Sequence, residues 1–148
     1  MVNTYRTADD AAADKADLFR LMEALGASPA SLRRDESGLW ILRGKGDCYA
    51  STWGDGKTWQ LLVSGENVTA MRWTWAKKRL AFCEVTQDGD SEGCFRLHRL
   101  PTPAEAEVIR SVLGIWKKVE WSPEELARRQ QWGRRLGTMS GDYGRFIR

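Results

Sequence analysis

The dipeptide Asp55-Gly56 constrains the possible folds of this chain more than any other sequence feature. It lies between two runs rich in β-forming residues, DCYASTW (47–53) and TWQLLV (58–63). Asp-Gly in that setting predicts a two-residue hairpin, because a type I′ turn needs positive φ at both central residues. The turn sets an antiparallel register with three pairs on one face, which we expect to line the core: Thr52–Trp59, Ala50–Leu61 and Cys48–Val63. The alternate residues take the other, mixed face: Tyr49, Ser51, Trp53, Thr58, Gln60 and Leu62.

The stretch TQDGDSEGCF (86–95) has three acids at alternate positions, Asp88, Asp90 and Glu92, as the start of a calcium-binding loop does. Such a loop needs a glutamate at its twelfth position, where this chain has Arg99. It also needs helical flanks, whereas the flanks here predict strands at about 80–86 and 94–100. Asp88-Gly89 therefore predicts a second hairpin.

The register of this second hairpin depends on the length of its turn. A two-residue turn pairs Leu80 with Leu97, Phe82 with Phe95 and Cys83 with Cys94. One more loop residue instead pairs Cys83 with Phe95 and Val85 with Gly93. The first register permits a cross-strand disulfide under oxidation, and the sequence leaves both registers open.

The remaining elements follow from capping residues and apolar spacing. Residues 8–25 predict a helix with Thr7 as its cap and Gly26 as its stop, and SPASLRR (28–34) predicts a short helical turn. Residues 39–43 add a strand, and Thr102-Pro103 and Ser122-Pro123 open two further helices. We therefore expect a single α+β domain, with a five-stranded antiparallel sheet (a three-stranded meander plus a hairpin) and helices mainly on one face.

The segment ENVTAMRWTWAKKRL (66–80) predicts a helix from about Val68. Val68, Met71 and Trp75 share one side, so we expect this side to face the core. The basic and aromatic residues then lie away from that stripe or close the last turn: Arg72, Trp73, Lys77, Lys78 and Arg79.

Charge is uneven along the chain. Residues 116–148 carry eight basic and four acidic side chains, whereas residues 1–30 carry three basic and five acidic ones. We expect a core over about 8–118, followed by a basic helix and a flexible tail over 119–148. A basic end of this kind can meet an acidic partner.

Catalytic and cofactor motifs are missing from the sequence. The one histidine, His98, lies on a predicted strand, and the three cysteines (Cys48, Cys83 and Cys94) have no C-x2-C spacing. We expect no catalytic residue, no metal site and no cofactor. The polar N-terminus and the lack of a long apolar run predict a cytoplasmic protein with no membrane segment.

A binding surface is the remaining expectation, because eight tryptophans accompany a net charge of only +3. Tryptophan and arginine anchor protein interfaces, and basic residues with an exposed aromatic also suit nucleic acid. The candidate partner-binding residues are Arg72, Trp73, Lys77, Lys78, Arg79, Arg128, Arg129, Trp132, Arg134 and Arg135.

The block WTWAKKRLAFCEVTQDGDSEGCFRLHRLPTPAEAEVIRSVLGIWKK (73–118) resembles a segment of small uncharacterised proteins of alphaproteobacteria and their mobile elements. The resemblance extends over about 24–118 and implies an accessory or regulatory role without a known activity. We therefore expect a non-enzymatic accessory protein that acts through a protein–protein surface, for example as an inhibitor of a larger host or defence complex. The alternative is a nucleic-acid-binding regulator that uses the basic helices. A third hypothesis is an enzyme that uses His98 with a cysteine, or the acidic hairpin tip with a divalent ion.

Overall fold

The computed structural model describes residues 7–139 of the chain, with side chains as far as Gly133. This part contains four α-helices: α1 (Ala8–Leu25), α2 (Ala70–Arg79), α3 (Pro103–Leu113) and α4 (Pro123–Met139). A 3₁₀ turn spans Pro29–Ser31. The strands are β1 (Leu32–Arg34), β2 (Trp40–Arg43), β3 (Tyr49–Thr52), β4 (Trp59–Val63), β5 (Glu84–Asp88) and β6 (Gly93–Leu97).

The helix ends follow the capping signals. Helix α1 has the predicted bounds; the Thr7 hydroxyl accepts a hydrogen bond from the Asp10 N–H, and Gly26 closes the helix at φ 61°. Helix α3 begins with a capping box, in which Thr102 and Glu105 satisfy each other's backbone N–H groups. The cap of α4 is Ser122, whose Oγ accepts from the Glu125 N–H at 3.1 Å.

All described strand pairs are antiparallel, in the order β1-β2-β3-β4-β6-β5. The predicted α+β class is confirmed; the sheet has six strands where about five were predicted, because β1 adds one. This strand has three residues, two of them exposed arginines, so it shows no apolar alternation. It forms because the chain after the 3₁₀ turn meets the free edge of β2.

The predicted register of the first hairpin is confirmed, with Ala50 opposite Leu61 and Thr52 opposite Trp59. The turn itself differs from type I′. Positive φ falls on Gly54 (95°) and Gly56 (71°) but not on Asp55. The Asp55 carboxylate instead accepts hydrogen bonds from the N–H groups of Lys57 (2.9 Å) and Thr58 (2.8 Å). The Asp55 side chain therefore stabilises this turn, in place of the backbone hydrogen bond of a tighter turn.

Both predicted registers of the second hairpin are wrong. Val85 faces Phe95 and Gln87 faces Cys94, with a bulge between the two pairs. The turn is displaced along the chain from Asp88-Gly89, because the Gly89 N–H donates to the carbonyl of Glu92 at 2.9 Å and leaves Asp90 and Ser91 between them. Strand β5 therefore begins after Cys83, and Cys83 does not face Cys94.

A single apolar core takes one face of the sheet together with residues of α1, α2 and α3. Leu42, Ala50, Leu61 and Phe95 form one row across four strands of this face. The opposite row includes Ser51, Gln60 and Arg96, which are partly exposed. The helices of the core thus gather on one side of the sheet.

The chain divides into two compact units, residues 1–118 and 119–148. The sheet and helices α1 to α3 belong to the first unit, and α4 belongs to the second. The flexible tail was predicted over residues 136–148. Residues 136–139 of it belong to α4, and residues 140–148 lie outside the described part.

Candidate binding surfaces

Helix α2 faces the core with the side that was expected to face outward. Trp73 and Ala76 are each 1% exposed, whereas Met71 is 82% exposed. The two tryptophans, Trp73 and Trp75, both lie in stripes of helical spacing, so the sequence alone does not choose between them. The structure places Trp73 on the core side, 5.1 Å from Phe95 between ring centroids.

A glycine makes room for Trp73. A Cβ added at Gly93 would come within 2.3 Å of the Trp73 ring and 2.2 Å of the Gln87 carbonyl oxygen. The indole therefore lies against bare backbone at the start of β6. The prediction that Trp73 is an exposed stacking residue is wrong for this reason.

Lys77 is also part of the internal structure. Its Nζ lies 3.0 Å from Asp88 Oδ1, an atom that also accepts a hydrogen bond from the Trp73 indole at 2.8 Å. These two donors, the indole first, lower the pKa of the Asp88 carboxyl. Lys77 therefore helps to hold α2 on the β5–β6 hairpin.

The other predicted residues of α2 do face solvent. Arg72, Lys78 and Arg79 are exposed. Trp75, which was predicted to face the core, is 37% exposed, and the guanidinium groups of Arg72 and Arg79 lie 5.7 and 5.3 Å from its ring. Cations at such distances interact favourably with an indole face. We call this surface the outer face of α2, and its residues are Met71, Arg72, Trp75, Lys78 and Arg79.

Two of the three acids of the second hairpin, Asp88 and Glu92, have structural partners. Asp88 contacts α2, and Glu92 Oε2 accepts a hydrogen bond from the Ser64 hydroxyl at 2.7 Å. Among the described residues, no group of three His, Cys, Asp or Glu side chains is placed to hold a metal ion. These two acids thus connect the hairpin to α2 and to the residue that follows β4.

His98 Nε2 lies 2.7 Å from Glu84 Oε1, and both side chains are about half exposed, at 53% and 54%. None of the interactions found in the described part joins His98 to a cysteine. The side chain that the structure places against His98 is thus the Glu84 carboxylate.

Helix α4 has its own internal contacts. Glu125 accepts hydrogen bonds from both Arg128 and Arg129, and the Arg129 guanidinium lies 3.6 Å from the Trp121 ring centroid. Trp132 is 55% exposed. Of residues 123–133, none is buried. The predicted residues Arg134 and Arg135 have side chains outside the described part.

A second surface, missed in the sequence, is a cleft of about 510 Å³ in the first unit. Its walls come from the segment after α1, the β2–β3 turn and the C-terminal end of α3. Four basic side chains line it and no carboxylate does: Arg33, Arg43, Lys45 and Arg110. We call it the cationic cleft; Trp116, which is 79% exposed, also lines it.

Two glycines, Gly44 and Gly114, allow two walls of the cationic cleft to come into close contact. The Lys45 N–H donates to the Leu113 carbonyl at 2.8 Å, which brings the β2–β3 turn onto the end of α3. A Cβ at Gly44 would lie 2.1 Å from that carbonyl oxygen, and one at Gly114 would lie 2.5 Å from the Lys45 Cβ. The glycines of RGKG (43–46) and LG (113–114) are the sequence signal for this close approach.

No protein-family model, curated protein or solved structure matches this chain. In the part of the chain that the structure describes, no helix has the length and apolar character that crossing a membrane requires.

Proposed function

We propose that the protein is a non-enzymatic binding protein that docks the outer face of α2 onto another protein. The observation that carries this proposal is the exposure of Met71, 82%, on a helix whose opposite side is fixed by buried Trp73. An anchored helix loses little conformational freedom when its outer side is covered, so binding costs less.

The composition of the outer face of α2 is that of an interface core. Tryptophan, methionine and arginine are enriched in such cores, and lysine is not. Met71 and Trp75 are four residues apart and thus adjacent on the helix surface. The guanidinium groups of Arg72 and Arg79 lie 5.7 and 5.3 Å from the Trp75 ring, which holds the aromatic and the two charges in one arrangement before any partner arrives.

The same residues define the chemistry of the partner. Met71 and Trp75 need an apolar groove, and the three flanking cations need carboxylates around it. The partner we propose is therefore a protein with an acid-rimmed apolar groove. Occupying such a groove on a larger complex is how an accessory or inhibitory factor acts. The proposed location is the cytoplasm, which suits the three free cysteines.

Recognition of nucleic acid through α2 has less support. Its stacking residue would have been Trp73, which is 1% exposed, and one of its cations, Lys77, is paired with Asp88. The outer face of α2 retains three cations beside two large apolar side chains.

The test is affinity purification of the tagged protein from its native cells with nuclease present, followed by reconstitution with the purified partner. Met71→Glu should abolish binding, because it places a carboxylate against an acidic rim. Arg79→Glu should weaken binding at least tenfold, most strongly at low salt.

The matched control is Phe19→Glu, which changes an apolar residue, 46% exposed, on another helix of the same unit. It should bind like the wild type. Circular dichroism checks that each variant folds. A partner that Met71→Glu still binds, or one that nuclease removes, would contradict the proposal, as would self-association that Met71→Glu disrupts.

A further inference from the structure

We propose that the cationic cleft binds the phosphate of a nucleotide, with the Trp116 indole stacking on its base. This site lies outside the outer face of α2 and does not depend on the proposed protein partner.

The charge of the cleft is the first argument. Arg33, Arg43, Lys45 and Arg110 line one concavity, and none of them forms an ion pair with any carboxylate of the described residues. Clustered like charges repel, so an anion in this cleft relieves a cost that the fold otherwise bears.

Arg110 supplies the second argument. Its Nε is buried and has no acceptor among the described residues; it is the one such side-chain atom found there. A buried donor without an acceptor is costly, and native structures rarely leave one. Nε itself is closed to a ligand, but Arg110 as a residue is partly exposed and lines the cleft. A phosphate oxygen is the acceptor that a guanidinium binds best, through charge-assisted hydrogen bonds.

The cleft is also rigid. The Lys45–Leu113 backbone hydrogen bond and the close contacts of Gly44 and Gly114 fix the β2–β3 turn on the end of α3. The same bond occupies one carbonyl at the C-terminus of α3, where free carbonyl oxygens would repel an anion. The backbone that carries Lys45 is thus fixed against the end of α3, which carries Arg110, before a ligand binds.

Trp116 points to a nucleotide rather than a bare phosphate. Its carbonyl accepts a hydrogen bond from the Ser28 N–H at 2.8 Å, so its backbone is fixed while the side chain is 79% exposed. An indole held at the edge of a basic cleft is a stacking platform for a base. The cleft volume, about 510 Å³, lies within the ~300–1,000 Å³ of small-molecule sites.

The nucleotide can come from two sources, the free compound or one unit of a single-stranded nucleic acid. Both present a phosphate next to a base, and a titration separates them. The probes are the four nucleoside 5′-monophosphates, adenosine, inorganic phosphate and a fluorescein-labelled fifteen-nucleotide single strand of mixed sequence, as RNA and as DNA.

The full chain should bind at least one monophosphate or one strand, measured by calorimetry or by fluorescence anisotropy at low salt, and should not bind adenosine. The variant Arg43→Gln/Lys45→Gln should lower the affinity at least tenfold; both side chains are exposed, so the fold should tolerate the change. Trp116→Ala should lower the affinity for the nucleotide probe and leave that for inorganic phosphate unchanged.

A strand that binds more tightly than any monophosphate, with an affinity that falls steeply with salt, identifies nucleic acid as the source. The reverse order identifies the free nucleotide.

The matched control is Arg72→Gln/Arg79→Gln, which removes the same charge from the outer face of α2 and should leave nucleotide binding unchanged. Binding of inorganic phosphate alone, an equal loss in the control, or no binding by any probe would each overturn the proposal. None of these results tests the protein interface proposed on α2, so either proposal can be wrong while the other holds.

Discussion

The indole N–H of Trp73 donates a hydrogen bond to Asp88 Oδ1 at 2.8 Å, which ties the buried side of α2 to the end of strand β5. Trp75, two residues further on, lies on the outer side of the same helix. Trp73→Ala should therefore lower the free energy of unfolding by about 3–5 kcal/mol, the usual cost of truncating a buried tryptophan. Trp75→Ala should cost roughly 1 kcal/mol, as partly exposed positions do. Urea denaturation of both variants measures the difference, and equal losses would show that the assignment of the two sides of α2 is wrong.

The contact between Gly44 and the Leu113 carbonyl gives a second prediction. Gly44→Ala places a methyl group 2.1 Å from that oxygen, so the β2–β3 turn must move away from α3. We expect a loss of roughly 1–3 kcal/mol in the free energy of unfolding, as for other overpacked sites. Gly46→Asn is the control in the same turn: nothing lies within 4 Å of its Cβ, and asparagine tolerates the φ of 63°. A thermal melt of Gly44→Ala that matches that of the control would contradict the docking of this turn.

Glu105 predicts how stability depends on pH. The Arg99 guanidinium donates two hydrogen bonds to it (2.6 and 2.8 Å), the Thr102 N–H donates a third, and together they lower the pKa of Glu105 from 4.5 to about 2. A carboxyl whose pKa is lowered by folding stabilises the folded state above its unfolded pKa, and this stabilisation is lost as the pH falls through the folded value. The Tm of the wild type should thus exceed that of Glu105→Gln by a constant amount above pH 4.5, and the gap should close towards pH 2.

The control for this pH series is Glu107→Gln, at an exposed position of the same helix. It should show no comparable gap. A gap between wild type and Glu105→Gln that widens as the pH falls would have the wrong sign and would exclude this role for the Arg99–Glu105 pair.

The register of the second hairpin predicts the behaviour of the thiols. Gln87, not Cys83, faces Cys94, so mild oxidation of the folded protein should produce no Cys83–Cys94 disulfide. Burial raises the pKa of the Cys83 thiol to about 12, so alkylation at neutral pH should be slow until the chain is unfolded. Peptide mass spectrometry after oxidation and after timed alkylation checks both expectations. A cross-linked Cys83–Cys94 peptide from native protein would contradict this register and would favour the one set by a two-residue turn at Asp88-Gly89.

The outer face of α2 and the cationic cleft differ in how far the sequence predicts them. All five residues of the outer face belong to one predicted helix, α2 (Ala70–Arg79), whose basic and aromatic character is visible in the sequence. Apolar spacing placed Met71 and Trp75 on the core side of this helix, and that prediction is wrong. What the sequence does not decide is which of Trp73 and Trp75 is buried, because both have helical spacing to other apolar residues. The cleft joins Arg33, Lys45 and Arg110, which are far apart in the chain, so no local pattern announces it.

Local chemistry determined the parts of this protein that depend on neighbouring residues. The bounds of α1, the capping box of α3 and the register of the first hairpin all follow from side chains that satisfy backbone groups a few residues away. Tertiary structure alone decided the rest. The missing side chain of Gly93 leaves space for Trp73, and this sets which side of α2 faces the core. Strand β1 pairs with the free edge of β2. Gly44 allows the β2–β3 turn to contact α3, and this contact brings four cations into one cleft. Each of these choices depends on close packing between segments that are distant in sequence, and packing at that distance leaves no periodic signal in the chain.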